Sequence, residues 1–224
     1  MQNSKNVINQ SDIKETTNHV VLAGALETAP SYSHEYDGVR FYSIRIRVYR
    51  SSGNKYDVLH AFIPESYLII NDTLLDSGVR VRLEGYVVQS ELKDMSDISV
   101  VAESIEVISS DTKDENCLHI GGTIHRIFEM RPINGSKKVV KPMIIKHTMT
   151  IGEKARNLTI KVSCWNNTAK LADTKYQAGD QVFIRGQLES KAVKLDKAKK
   201  DKKSTVVLHE ASAAVILDIA TNQG

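Results

Sequence analysis

Seven lysines crowd one short stretch, "SKAVKLDKAKKDKKS" at 190–204: Lys191, Lys194, Lys197, Lys199, Lys200, Lys202 and Lys203. Such a run does electrostatic rather than covalent chemistry. It either closes on a polyanion or stays a solvated loop that repels itself. Charge is uneven along the whole chain. Residues 1–110 hold 10 Lys+Arg against 15 Asp+Glu, a balance of −5, and residues 111–224 hold 20 against 12, a balance of +8. An acidic half beside a basic half points to a polyanionic partner for the basic one. The only tryptophan, Trp165, lies in that basic half, at the end of the alternating run "LTIKVSCW" and close to Lys161.

Covalent and metal chemistry find little support. Cys117 and Cys164 form no CxxC pair, so zinc and redox motifs are absent and both read as buried, reduced thiols. No Gly-rich phosphate loop with a following Lys occurs. His119 and His125 in "HIGGTIH" stand six apart, which places them on one strand face, but no third ligand candidate accompanies them and they read as structural. No Ser-His-Asp or Cys-His arrangement emerges. Asn157-Leu158-Thr159 fits a glycosylation pattern, but the N-terminus lacks a secretion signal and the match reads as chance. The longest apolar runs, "YLII" and "AAVIL", fall far short of the about 20 residues that cross a bilayer. The expectation is a soluble, cytoplasmic binding protein, not an enzyme, with no cofactor, no metal and no membrane.

The elements that must position these residues come in duplicate. With 224 residues, 41% hydrophobic and 25% charged, the chain suits one large globular domain or two of about 110 residues. Self-similarity decides for two. "NHVVLAGAL" at 18–26 resembles "NCLHIGGTI" at 116–124, "SGVRVRLEGYV" at 77–87 resembles "AGDQVFIRGQL" at 178–188, and "VVAESIEVI" at 100–108 resembles "VVLHEASAAVIL" at 206–217. The expected division is a polar, mobile segment over 1–17, a first copy over 18–108, a polar linker over 109–115 and a second copy over 116–219. Within each copy, runs such as "FYSIRIRVY" alternate apolar and polar residues with period two, the mark of strands with one buried face. One short helix interrupts each copy, "TAKLADTKY" with Thr168, Leu171 and Ala172 on one face, and "ESYLIINDTLL" after Pro64. Three strands, a helix and two strands describe an all-β chain of two tandem OB-folds, five-stranded Greek-key barrels with a helix between strands 3 and 4. Glycines within strands 1 and 4 permit the sharp bends of a small barrel.

These residues resemble the bacterial single-stranded DNA-binding protein family. Over 158–188 the resemblance rests on Trp165, Ala169, Leu171, Ala172, Gly179, Asp180, Val182, Ile184, Gly186 and Leu188. The family's opening strand is matched by Asn18, Val20, Leu22, Gly24 and Leu26, and again by Asn116, Gly122 and Ile124. The resemblance implies sequence-independent binding of single-stranded DNA in replication, recombination or repair, in the bacterial cytoplasm at the nucleoid. Members usually carry one fold per chain and assemble four, so two folds per chain imply a homodimer. Many members end in an acidic tip that recruits replication or repair proteins, whereas this chain reads "LDIATNQG" at its end.

The resemblance also assigns roles. Cations track phosphates while flat side chains accept base faces. Trp165 matches a position where an aromatic meets DNA, and otherwise plugs a barrel end. The register of the repeat sets Phe62 opposite Trp165, with Tyr56 and Thr159 six residues earlier; Phe62 otherwise packs in the core. Tyr42 and Tyr49 are expected on the outward face of strand 2 with Arg45 and Arg47, facing DNA, solvent or a dimer partner. The lysine stretch is one groove loop. "MRPINGSKKVVK" is the other and adds Arg131, Lys137, Lys138 and Lys141, while Lys146, Arg156, Lys161 and Arg185 flank the strands. The equivalent loop of the first copy, "QSELKDMSDIS", is acidic. The second copy is therefore expected to bind most of the DNA, with Arg40, Arg45, Arg47 and Arg50 as secondary contacts. A primosome-like adaptor and an RNA-binding protein are the competing readings.

Overall fold

The computed structural model describes residues 7–8, 17–51, 53–72, 76–92, 95–151, 154–195 and 204–219. In chain order the strands are β1 (Val7–Ile8), β2 (Asn18–Leu26), β3 (Ser31–Tyr36), β4 (Val39–Tyr49) and β5 (Tyr56–Pro64). After helix α1 (Glu65–Ile70) come β6 (Arg80–Leu92), β7 (Met95–Val107), β8 (Glu115–Ile127), β9 (Arg131–Pro132), β10 (Val139–Ile151) and β11 (Lys154–Trp165). Helix α2 (Asn166–Lys175), β12 (Gln181–Leu195) and β13 (Ser204–Ile219) complete the chain. They form two compact units. The first-copy unit joins Val20–Asn116 with Leu188–Glu210, and the second-copy unit joins Met1–His19, Cys117–Gln187 and Ala211–Gly224. No helix among the described residues is long and apolar enough to cross a membrane.

In the first-copy unit β2 runs antiparallel to β6, from Val20↔Gly85 to Ala25↔Arg80, and meets β4 at Ala25↔Arg47. β4 pairs with β5, β5 runs parallel to β7 at Ala61↔Val100 and Phe62↔Val101, and β7 returns to β6. The ring β2–β4–β5–β7–β6 therefore closes. β3 extends it as a hairpin on β4, turned by Asp37 and Gly38 with φ of 51° and 75°, the two left-handed residues that match strand twist. In the second-copy unit the same ring runs β8–β10–β11–β13–β12. Its parallel pair is Val162–Cys164 with Ala211–Ala213. Each ring has a helix between its third and fourth strands, and these are two OB-folds. Within the second-copy unit β1 pairs in parallel with Asp218–Ile219, so the segment before the first copy contributes a strand.

Alternation fills both interiors. Ile44, Ile46, Leu59, Ile63 and Leu83 are fully buried in the first copy, and Leu118, Ile120, Ile124, Met143 and Ile145 in the second. Closing so small a ring presses main chains together. A Cβ on Gly85 would lie 2.0 Å from the carbonyl oxygen of Val101, and one on Gly186 would lie 2.0 Å from that of Ser212. Real side chains cannot stand there. The register of β6 on β7 also shifts between Glu84 and Gly85, the bulge that turns the strand.

The structure corrects three details. Ala169 and Ala172 are the buried face of α2 while Leu171 is exposed, because small side chains let the helix lie close on the barrel. Tyr42 shares the parity of Ile44, Ile46 and Val48, not of Arg45, and its hydroxyl donates to Glu65 at 3.2 Å. Phe62 and Ser163, not Phe62 and Trp165, occupy equivalent rungs. Each stands opposite the residue whose carbonyl crowds the strand-4 glycine. Trp165 is thus level with Pro64, and each is the last residue of its strand, directly before the helix.

Gly186→Ala is expected to destabilise the fold by about 1–3 kcal/mol, the cost of overpacking a rigid contact. Thermal unfolding would read this as a lowered midpoint, and an unchanged midpoint would contradict the close approach. Burial pushes the Cys164 thiol up to about 12. It should therefore resist a thiol reagent at pH 8 in the native protein and react on unfolding, followed by mass spectrometry.

Candidate nucleic-acid interface

On the second copy, the register of three strands lays out rungs across the outward face. Arg131 pairs with Val140, which pairs with Trp165. One rung along, Pro142 pairs with Ser163 and its carbonyl accepts from the Phe128 amide at 3.0 Å. Next come Arg126, Ile144 and Lys161, then Thr123, Lys146 and Thr159. Arg126, Arg131, Lys146 and Lys161 are exposed and Trp165 is half-buried. The Arg126 guanidinium lies 4.6 Å from the Phe128 ring centre, a cation–π contact that leaves charge and ring on one face. Cations and rings therefore alternate along strands whose same-face residues repeat every about 7 Å. Trp165 belongs to this face because the core side of β11 is already taken by Leu158, Ile160, Val162 and Cys164.

Local chemistry fixes the indole. Asn166 directly after it adopts φ of 50° and accepts from the Val139 amide through Oδ1 at 3.3 Å. Asparagine tolerates this left-handed turn at low cost, so strand ends and helix begins within one residue.

The first copy carries a longer run of rings. Tyr49 pairs with Tyr56, Arg47 with Val58, Arg45 with His60 and Ser43 with Phe62. Tyr49 and Tyr56 meet edge to face at 5.6 Å and are 47% and 50% exposed. His60 lies 4.7 Å from Phe62, Phe62 lies 5.0 Å from His34, and His34 stacks on Phe41 at 5.2 Å. Arg47 stands over Tyr56 at 5.6 Å while its Nε donates to Glu27. Burial holds the His60 ring below the usual imidazole value, with His209 adding to the effect. It bridges Ser43 at 2.7 Å and Ser99 at 2.9 Å.

Other expected site residues are placed differently. Lys141 faces the core opposite Cys164, and its ammonium donates to Asp173 at 2.6 Å; its register leaves it out of the groove. Arg50 forks onto Asp57 at 2.7 and 2.6 Å. Arg40 pairs with Glu65 at 3.5 Å. Arg156 shares the parity of Leu158 and Ile160, opposite to Lys161. Arg185 is exposed beside His119 on β12. Burial first, then Arg185 and His19, hold His119 below its ordinary value. His125 is the extra residue of a bulge, since Ile124 and Arg126 pair with consecutive residues of β10; it does not share the His119 face. Lys137 and Lys138 are exposed in the β9–β10 turn. Lys191 pairs with Glu210. The stretch expected as a loop runs on as strand to Leu195. The Lys194 side chain and all of Lys197, Lys199, Lys200, Lys202 and Lys203 lie outside the described residues.

Arg126, Phe128, His34 and Phe41 were not anticipated. The bulge at His125 brings Arg126 onto the face, and no residue pattern announces that bulge. His34 and Phe41 come from β3, a strand added to the five expected.

Known proteins bear on this arrangement. Residues 115–214 match the profile of the family described as "Single-strand binding protein family". The chain is similar in fold to the wild-type single-stranded DNA-binding protein of Thermus aquaticus, with a TM-score of 0.68 at 16% identity, covering 92% of this chain and 95% of that one. A deletion mutant of the same protein gives 0.69, also at 16% identity, covering 92% and 96%. At that identity the likeness is one of fold. The N-terminal domain of PriB from Thermoanaerobacter tencongensis is 29% identical over 42% of this chain and 98% of its own, with a TM-score of 0.36. No curated protein matches the sequence. The strand order, the second-copy rungs and the match over 115–214 agree, and over those residues the chain is similar to the single-strand binding protein family.

Proposed function

We propose that the chain binds single-stranded DNA with little regard to sequence, protecting or organising it in replication, recombination or repair. The observation that carries this reading is the second-copy face, where Arg131, Arg126, Lys161 and Lys146 alternate with Trp165 and Phe128 on adjoining rungs. Cations neutralise phosphates and rings accept base faces of any identity. The reading takes the second OB-fold as residues 116–219, the first as 18–108, and the polar 109–115 as their linker. Both copies take part. The second contributes more exposed cations, and the first contributes the Tyr49, Tyr56 and Phe62 band with Arg45 and Arg47. Two OB-folds per chain favour a homodimer presenting four, and the single-strand reading carries with it a place at the nucleoid of the bacterial cytoplasm. The work is binding rather than catalysis.

Oligo-dT added to the full chain should quench Trp165 fluorescence, and affinity should fall with log salt at about −0.7 per phosphate contacted. An RNA binder would prefer oligo-rU under the same conditions. An adaptor acting through proteins would show neither quenching nor a salt slope. Trp165→Ala is expected to lose about 1–3 kcal/mol of affinity, as for one stacked base. Tyr56→Ala should cost a similar amount if the first copy takes part, whereas unchanged affinity would confine binding to the second. Sedimentation equilibrium at twice the chain mass would support the dimer.

A further inference from the structure

We infer that Asp57, Asp97 and His209 are positioning residues for the first-copy face: they fasten the base of the β12–β13 hairpin along β5 and hold Tyr56 and Phe62 in line, and the fastening requires His209 as an imidazolium. This rests on the single-strand reading for its consequence in binding, but the fastening itself is read from geometry within the first-copy unit.

β5 joins β7 only at Ala61 and Phe62, which leaves the main chain of Val58 without a strand partner on that side. The hairpin base supplies one. The Ser190 hydroxyl accepts from the Val58 amide at 3.3 Å, and His209 Nε2 donates to the Val58 carbonyl at 3.0 Å. Two buried carboxylates grip the hairpin itself. Asp57 Oδ1 accepts from the Ser190 amide at 2.8 Å and hydroxyl at 3.1 Å. Asp97 Oδ1 accepts from the His209 amide at 2.6 Å, and Asp97 Oδ2 accepts from His209 Nδ1 at 3.0 Å. Outgoing and returning strands are thus each held by a main-chain N–H on a carboxylate.

Both ring nitrogens of His209 face acceptors, so both must carry protons to make both bonds. A neutral ring would leave either Asp97 or Val58 facing a lone pair. Burial opposes the charge, but the hydrogen bond and charge of Asp97, the Val58 carbonyl and Asp57 outweigh it and raise the imidazole above its ordinary value. Burial likewise opposes ionised Asp97, but His209 and the local main-chain N–H groups draw it down. The charged and titratable groups around the pair are Asp57 and His60 on β5, Arg45 on β4, Arg50 after it, and Glu189 on β12. Arg50 is held by Asp57 at 2.6 Å and lies 3.8 Å from Glu189. His60, neutral through burial, lies beside the pair and against Phe62.

The consequence runs along β5. Val58 stands between Tyr56 and His60 on the outward side. Holding its N–H and C=O sets the line of the rings on either side. His209, being raised, contributes fully below the ordinary imidazole value, and its contribution is lost as pH rises through its folded value. Asp97, being lowered, contributes above the ordinary carboxylate value and is lost only as pH falls below that range.

The test uses the full chain. In the wild type the His209 ring, followed by NMR, should titrate above the ordinary imidazole value, and the protection of the His209 and Ser190 amides, taken as exchange relative to the intrinsic rate at each pH, should fall at least tenfold across that titration. Oligo-dT affinity should fall several-fold across the same window, and His209→Gln should remove that component of the profile. A His209 ring titrating at or below the ordinary value, or parallel affinity profiles for wild type and His209→Gln, would overturn the inference. If His209→Gln does not fold, the wild-type titration and exchange decide. If the wild type ignores oligo-dT, the single-strand reading fails, and titration and exchange still decide the fastening.

Discussion

Closure of a five-stranded ring governs the rest of this molecule. A flat sheet of these strands would leave two edges of unpaired main chain, and the ring removes them. The curvature is severe, because strand 4 must cross strand 5 with no side chain between. Gly85 and Gly186 sit at that crossing, each within about a van der Waals radius of a carbonyl if a Cβ is imagined on it. Inside the ring, period-two alternation packs isoleucine, leucine and valine. Outside it, the same alternation sets the remaining residues of strands 1 to 3 in rungs. The proposed binding face follows from the core by parity: wherever Leu158, Ile160, Val162 and Cys164 point inward, Thr159, Lys161, Ser163 and Trp165 cannot.

A ring closed on two or three parallel pairs has a weak seam. In the second copy the seam is β11 on β13, where Val162, Cys164, Ala211 and Ala213 flank a Ser163–Ser212 rung, with Leu158 fully buried at the rung equivalent to Asp57. In the first copy that rung holds a carboxylate with almost no exposure. A buried carboxylate alone would be costly, and here Arg50 together with the N–H and hydroxyl of Ser190, from the β12–β13 hairpin, surrounds it. Duplicated sequences that share a topology have thus diverged at the one place where the ring is not self-sufficient. Apolar packing completes the seam in one, and a charged clasp completes it in the other.

That contrast explains what could be read from residues alone. The duplication, the strand order, the helix position and the glycines all arise from local patterns, periodicity and spacing, which the chain displays directly. Trp165 and Lys161 were legible as neighbours on one face because they share parity on a single strand. Rungs across strands were not. Arg126 joins Lys161 only through a bulge at His125, and register across strands depends on such single-residue insertions. Lys141 illustrates the opposite failure. A lysine among exposed lysines is expected to be solvated, yet Lys141 is buried and its ammonium meets Asp173, far along the chain. The clasp of Asp57, Asp97 and His209 spans more than a hundred residues of sequence, and nothing local marks any of the three as buried.

The two faces also differ in what limits their grip. Exposed cations act at a distance, are screened by salt and tolerate displacement of an ångström or more. Ring stacking acts only at contact and fails when a strand shifts by that amount. The second copy, rich in exposed lysine and arginine, needs its strands placed only coarsely. On the proposed reading the first copy depends on six rings, the cluster His34, Phe41, Phe62 and His60 and the pair Tyr49 and Tyr56, whose neighbouring rings lie 4.7 to 5.6 Å apart. A band of that kind keeps its geometry only if the strand beneath it is held. It is therefore physically consistent that the buried clasp lies under the ring-rich face, while at the corresponding rung of the cation-rich copy leucine is enough.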